Sequence, residues 1–394
     1  MKKLSNFQSN GYYFLLLGFL FLIQISIGAA YILFTALGLG LILFLTIGRK
    51  HAVVRFHWKR HLPPFTIPFL GFILVTLISI LFAVDMKESF MDSKELLIFL
   101  LFPIYFLILN SEKRIRTSLN VILLSAVLHA LVGIYQGTQW GITLDRRIKG
   151  FTSHWMTFAG LLMFVLIFFL ISSIYNKRKP EKWIHLSLLI PVLVAIGFSL
   201  TRSVWVGIAF SIGLFLVYYN ARILFIIIPL ILLAVFFLPE SIQSRITSIV
   251  DLNNETNKDR IYMAVTGFNI FKDFPLFGVG ANNVVKVYDQ YKPEGAPINP
   301  HLHNNFIHIL AERGIFALLS LIAAFLLAII HLVRIIRNGT PFFSRIAVAV
   351  LFAFIAFLVA GLFEYNFGHS QIKFILFYFL SLPFIPMIKE AEHD

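Results

Sequence analysis

Apolar runs of about 20 residues recur along nearly the whole chain, and each is long enough to cross a bilayer core as a helix. The runs lie at residues 12–28, 30–47, 65–84, 96–109, 119–134, 156–174, 184–200, 204–218, 223–237, 315–332, 346–363 and 374–388. They predict about 12 spans and an all-α integral membrane fold. Composition agrees: 59% of the 394 residues are hydrophobic, 44 are Phe and only 13% are charged, far from the balance of a soluble domain. Mean hydropathy is +0.85. The bundle itself is the domain, residues 1–394, and no internal repeat interrupts it. Lys2 and Lys3 precede the first apolar run, which is expected to be a retained span because no small-residue cleavage pattern follows it. The absence of cysteine excludes disulfides and thiolate metal sites.

Basic residues in short loops orient such a bundle, since Lys and Arg favour the cytoplasmic side. With the N-terminus inside, one set of loops holds Arg49, Lys50, Arg55, Lys59 and Arg60, then Lys113, Arg114 and Arg116, then Lys177, Arg178, Lys179 and Lys182. Arg222, Arg334, Arg337 and Arg345 fall on the same side. The opposite loops hold Lys87, Lys94, Arg146, Arg147, Lys149 and Arg202. Both termini are therefore expected in the cytoplasm. The net charge of +14 is largely this topology signal plus attraction to anionic membrane lipids, and it gives no reason to invoke nucleic acid.

This orientation sends residues 239–314 to the outer face as one loop, far longer than a mere connection needs. Within it, "DRIYMAVTGFNIF" predicts an amphipathic helix with Ile261, Val265, Phe268 and Phe271 on one face behind an Asn257 cap, able to lie on the bundle or on the membrane interface. "PLFGVGANN" turns the chain at Gly278 and Gly280, and Asn282 or Asn283 caps a second helix with Val284, Val287, Tyr288 and Tyr291 on one face. "NPHLHNNFIHILAERGIF" closes the loop. Asn304 or Asn305 is placed to cap the helix entering the next span, and His308 and Glu312 are four apart on it.

His303 stands just before that helix at the membrane surface, where an imidazole suits proton abstraction from a hydroxyl. His301 and His303 lack a third ligand at a recognisable interval, so no metal site is expected. Arg202, in "SLTRSVWVG", occupies a short outer turn at a depth where a lipid-facing charge is costly. Arg260 opens the loop helix, with Asp259 and Glu255 as candidate partners, while Arg146 and Arg147 add positive charge on the face where topology disfavours it. Guanidiniums gathered on one outer surface favour an anionic ligand, because their planar forks bind phosphate oxygens in pairs. Glu364, at the outer end of a late span near Tyr365, Asn366 and His369, is a candidate to orient His303 or to bind an acceptor hydroxyl.

Taken together, "TRSVW" between two spans, "DRIYMAVTGFNIFKDFPLFGVG" in a long late loop and "HLHNNFIHILAERGIF" leading into the next span resemble the O-antigen ligase and O-antigen polymerase family of bacteria. The resemblance is strongest over residues 197–316. His303, Asn304 and Gly314 match the ligase pattern of His, a small polar residue, an interval and Gly, whereas Ala317 stands where that pattern has Gly, Thr or Tyr. The family implies a glycosyltransferase with a GT-C-like helical fold and no metal or other cofactor. Its donor is a glycan on undecaprenyl pyrophosphate at the outer face of the bacterial inner membrane. A ligase passes the glycan to the lipid A core, and a polymerase joins two lipid-linked repeat units. The resemblance assigns His303 as general base and Arg202 and Arg260 as the essential arginines. Arg146, Arg147, His301, Asn304 and Glu364 are candidate supporting residues from their positions.

This chemistry suits the residues. A sugar pyrophosphate is an activated donor, so the remaining tasks are to deprotonate the acceptor hydroxyl and to neutralise the departing pyrophosphate, and attack opposite the leaving group inverts the anomeric centre. A membrane transporter is the rival reading. Transporters place coupling charges near the midplane and often show repeated halves. Here the spans are nearly free of ionisable residues, His129 and Lys373 being the main exceptions.

Overall fold

The computed structural model describes residues 2–46, 63–238, 240–251 and 253–385. Arg49, Lys50, Arg55, Lys59 and Arg60, together with the last residues of the runs at 30–47 and 374–388, lie outside them. Among the described residues every regular element is helical. The order is α1 (Lys2–Leu22), α2 (Ile27–Thr46), α3 (Thr66–Ser79), α4 (Met86–Asp92), α5 (Leu101–Ile108), α6 (Glu112–Trp140), α7 (Trp155–Ile174) and α8 (Lys179–Phe198). There follow α9 (Arg202–Asn220), α10 (Leu224–Val235), α11 (Glu240–Thr247), α12 (Glu255–Asp273), α13 (Val284–Tyr291), α14 (Asn305–Asn338), α15 (Pro341–Ala360) and α16 (Ser370–Ser381).

Among the described residues six helical stretches are long and apolar enough to cross a membrane: α6, α7, α8, α14, α15 and Arg202–Leu233. The last joins α9 to α10 through a single 3₁₀ turn at Ala221–Ile223, where the Asn220 side chain accepts from the Arg222 N–H. Shorter apolar helical stretches occupy Asn10–Leu22, Ile27–Leu43, Thr66–Phe82 and Ser370–Phe384.

The centre of the bundle is α7, whose residues Thr157 to Phe169 are all buried. A helix apolar all round can be buried all round, and this one is enclosed by α6, α8, α9, α15 and α16. Interlocked rings fill the space: Phe168 lies 4.7 Å from Phe379, and Phe377 lies 4.9 Å from Phe99 and 4.8 Å from Phe102. Between helices in lipid the attraction is van der Waals packing rather than exclusion of water, so large interdigitating rings are an effective filling. By contrast α10 turns its side chains outward, Phe225 being 82% exposed. In water such a face is a liability, and in a bilayer it is the lipid contact.

The loop 239–314 folds over one end of the bundle as α11, α12 and α13 around a small core of Met263, Ile270, Val279, Val284, Val287, Tyr288 and Leu302. The face expected to bury α13 is found: Val284, Val287 and Tyr288 are buried and Tyr291 packs against the core. For α12 the expected cap is corrected, and of the two seatings open to its apolar stripe the outward one is found. Its cap is Asn254, whose side chain accepts from the Thr256 N–H, rather than Asn257. Its buried face is Met263, Thr266, Gly267 and Ile270, while Ile261, Val265 and Phe268 face outward. The reason is steric: a Cβ at Gly267 would come within 2.3 Å of Ile307, so the smallest residue sets the side that reaches α14. The outward apolar face is left for the membrane interface.

Candidate functional site

Two turns meet where α14 begins and α15 ends. The Asn304 side chain caps α14, accepting from Phe306 and Ile307, and donates across to the Leu362 carbonyl at 2.9 Å. Asn305 is buried and fastens the turns together. Its backbone N–H donates to the Gly361 carbonyl at 2.7 Å, its side-chain Nδ2 donates to the Asn366 Oδ1 at 2.6 Å, and its side-chain Oδ1 accepts from the Phe367 N–H at 2.9 Å. These bonds hold His303 in the left-handed region (φ 44°), which residues with a Cβ occupy sparsely. His303 Nδ1 then lies 3.0 and 3.1 Å from the two carboxylate oxygens of Glu364.

A carboxylate only accepts, so in the neutral imidazole Nδ1 carries the proton and Nε2 presents the lone pair. Nε2 has no protein partner among the described residues. Glu364 is 6% exposed. Burial pushes its pKa up, but the His303 hydrogen bond and the charges of His303, His369 and Arg260 outweigh this and leave it below the ordinary carboxylate value.

Beside this pair four arginines gather. Arg202, the first residue of α9, is only 4% exposed. Its Nη1 donates to the Ser248 carbonyl and hydroxyl at 2.6 and 3.1 Å, and its Nη2 donates to the Thr256 hydroxyl at 2.5 Å. Nε is buried with no partner. A snorkelling headgroup anchor would extend toward water; this guanidinium is pinned inward, with a donor to spare. Arg245, on α11, donates from Nε to the Leu200 carbonyl at 3.2 Å. Burial, then Arg147 and Arg260, bring its pKa down to about 10. Arg147 lies over the Trp155 ring at 4.8 Å, and burial and the field of Arg202 lower its pKa. Arg260 is lowered by burial, against the opposing pull of Glu364.

Like charges depress one another's proton affinity only at close range, so Arg147, Arg202, Arg245 and Arg260 share one field, and Glu364 joins it to His303. Among the described residues none of the four forms an ion pair, and Arg260 has neither Asp259 nor Glu255 as a partner. Uncompensated guanidiniums at this density fit a multiply charged anion.

The supporting residues divide. Arg146 is exposed, and only its backbone is engaged, by Thr143. His301 lies not on Glu364 but against His308 and Tyr365, at 5.7 and 5.8 Å between rings. Burial, then His308, His369 and His303, bring its pKa down to about 4, so it is neutral at physiological pH. His308 and Glu312 form the expected pair at 3.1 Å. Glu312 also accepts from the Asn282 N–H at 2.8 Å, which ties the loop to α14.

Gly314 breaks α14 with φ 74° and ψ −176°. The break is filled by backbone from "PLFGVG": Val279 and Gly280 donate to the carbonyls of Ala311 and Glu312 at 3.0 and 2.8 Å, and the Ile315 N–H donates to Pro275 at 3.0 Å. A Cβ on Gly314 would sit 2.1 Å from the Leu276 carbonyl oxygen, and one on Gly278 would sit 2.3 Å from the Glu312 carbonyl carbon. Two glycines thus let the chains touch backbone to backbone. Gly314→Ala is expected to destabilise the fold by about 3 kcal/mol or more, through the positive φ and the clash together, read as a lowered thermal midpoint in detergent. A midpoint equal to wild type would refute this account of the turn.

Sequence reasoning passed over Arg245 and His154. Arg245 is one cation in a loop whose folding the local pattern does not reveal. His154 caps α7, accepting at Nδ1 from the Met156 N–H at 3.3 Å, and burial lowers its pKa against the pull of Glu364. A basic residue inside a segment expected to fold over one end of the bundle would have been the only signal for the first, and a cap position the only one for the second.

Comparison with curated proteins finds no match. The O-antigen ligase family model matches residues 186–322, a stretch that begins within α8, contains Arg202, Arg245, Arg260 and His303, and ends beyond the Gly314 break. On that match residues 186–322 are similar to the O-antigen ligase family.

Proposed function

We propose that the protein is an O-antigen ligase-type inverting glycosyltransferase that moves a glycan from undecaprenyl pyrophosphate to an acceptor hydroxyl of the lipid A core, at the outer face of the bacterial inner membrane. The reading includes about 12 spans, both termini in the cytoplasm and the 239–314 loop as the outer wall of the site. One observation carries it: a histidine whose Nδ1 is held by a carboxylate, leaving Nε2 open beside four arginines that lack ion-pair partners.

The acceptor oxygen attacks the anomeric carbon as His303 Nε2 takes its proton, and the bond from that carbon to the pyrophosphate oxygen breaks. The electron pair leaves with the pyrophosphate. Arg202, Arg260 and Arg245 stabilise the charge growing on it, with Arg147 behind them. Glu364 holds the imidazole in the tautomer that accepts at Nε2 and stabilises the imidazolium that forms. No step requires a metal. A polymerase joining two lipid-linked repeat units would use the same groups and differ only in its acceptor; Ala317, where the ligase pattern has Gly, Thr or Tyr, favours this second reading.

The test is transfer by purified protein from a lipid-pyrophosphate glycan, offered in parallel a lipid A core and a second lipid-linked unit. Transfer to the core, unchanged by chelator, is expected; activity lost to chelator and restored by a divalent ion would sink the mechanism. Glu364→Gln in the same assay should lower the rate by about 10- to 10³-fold, since the amide keeps the shape but not the charge. The sign of its pH effect follows from linkage. With its folded pKa below 4.5, the stability Glu364 contributes is complete above that value and is lost as pH falls through the lowered pKa. The stability gap between wild type and Glu364→Gln should therefore close only in acid.

A further inference from the structure

On the side of His301 and Tyr365 lies a second polar feature that the mechanism does not use. A cavity of about 100 Å³ opens among α4, the 3₁₀ stretch Ser93–Leu100, α14 and α16. Its walls carry three carboxylates, Asp92, Glu95 and Glu312, against two cations, Arg313 and Lys373. Arg313 is 3.4 Å from Asp92 and 3.5 Å from Glu312, and Lys373 is 2.5 Å from Glu95. Phe72, Phe99 and Phe367 supply aromatic surface to the same walls.

Burying Glu312, Arg313 and Lys373 beside the half-buried Asp92 and Glu95 at one end of so apolar a bundle is costly, and pairing alone seldom repays the cost. Nor does the pairing exhaust the lining, because Arg313 is 8% exposed and its Nε is buried without a partner. A space of this size holds about three waters, the room that two or three sugar hydroxyls need.

The cavity adjoins the proposed catalytic pair. Tyr365 and His301 line it, while Glu364, next to Tyr365 in the chain, and His303, two residues beyond His301, make the hydrogen-bonded pair. His369 lies in the field of both places, sensing Glu364 and His303 on one side and Lys373 and Glu95 on the other. The arginine cluster and the cavity are of contrasting character: cations without ion-pair partners among the described residues in one, mixed charge with carboxylates in excess in the other.

We infer that this cavity is the acceptor subsite, binding the hydroxyl-bearing edge of an uncharged sugar so that a neighbouring hydroxyl of the same acceptor reaches His303 Nε2. The carboxylates accept from sugar hydroxyls, the Arg313 Nε–H donates to one, and the phenylalanines cover the apolar faces of the ring. The excess of carboxylates selects against anionic sugars, as the arginine cluster selects for the anionic donor. The inference rests on the transferase reading, and the experiment separates the two.

Saturation-transfer NMR on the full chain in nanodiscs, with methyl β-D-glucoside and methyl β-D-glucuronide as probes, reads the cavity directly; acceptor and donor KM in the transfer assay read its use. Two variants alter the lining. Asp92→Asn removes one carboxylate, and Leu96→Trp fills the space without touching a charge. Both should weaken glucoside binding and raise acceptor KM by about tenfold, with donor KM unchanged, and the glucuronide should bind more weakly than the glucoside. Unchanged glucoside binding in folded Leu96→Trp, or glucuronide bound as well as glucoside, would overturn the subsite. Glucoside binding lost in both variants, in a protein that transfers nothing from a lipid-pyrophosphate donor, would support a sugar site while overturning the transferase reading.

Discussion

His303→Ala should lose about 10²- to 10⁴-fold in transfer rate while its affinity for the lipid-pyrophosphate donor stays near wild type. The division follows from geometry. The imidazole acts on the acceptor proton, which moves only in the transition state, so its removal costs turnover rather than ground-state binding of the donor. The pinned turn makes the variant informative: Asn304 and Asn305 hold the two loops together without His303, so Ala there leaves the clamp in place. It also leaves Glu364 buried without its hydrogen-bond partner, so a modest loss of stability accompanies the loss of rate. Donor binding and single-turnover rate on the purified variant decide the matter. A fully active His303→Ala would end the general-base assignment.

Arg202→Ala should both weaken donor binding, by about tenfold or more, and slow transfer, because a guanidinium on the pyrophosphate acts in the ground state as well as in the transition state. Arg202 also ties α9 to the loop through Ser248 and Thr256, so part of the loss comes from a loosened 248–256 segment. Arg202→Lys separates these contributions. It keeps the charge but not the fork, and should restore only part of the donor affinity. Arg260 has no such structural partners among the described residues, so Arg260→Ala should weaken the donor with little change in thermal midpoint. Donor affinity at wild-type level in both alanine variants would show that the cluster does not hold the pyrophosphate.

Much of the helix pattern was legible because it rests on local arithmetic. Runs of apolar residues bounded by Lys, Arg and Gly became helices, and the His308–Glu312 pair and the buried face of α13 followed from spacing alone, while spacing narrowed the α14 cap to Asn304 or Asn305 and the structure shows Asn304. Even so, spacing left open which side of α12 docks. Ile261, Val265 and Phe268 form the more apolar stripe, yet the helix docks through Gly267, because close approach to Ile307 rewards absence of bulk over hydrophobicity.

The sequence by itself determined an all-helical, membrane-like chain with its polar chemistry gathered in one late loop, since hydropathy and capping act over a few residues and need no partner. It also put His303, Arg202, Arg260 and Glu364 forward singly. Only the tertiary structure decided which of them meet: that Glu364 lies on His303 across 61 residues of chain, that Arg245 and Arg147 join Arg202 while Arg146 stays in solvent, and that Gly314 exists to let the "PLFGVG" backbone close on α14. These are contacts between segments far apart in the chain. They depend on how helices pack, which glycines permit backbone contact and which charges the fold leaves without partners, and no periodicity along the sequence encodes that.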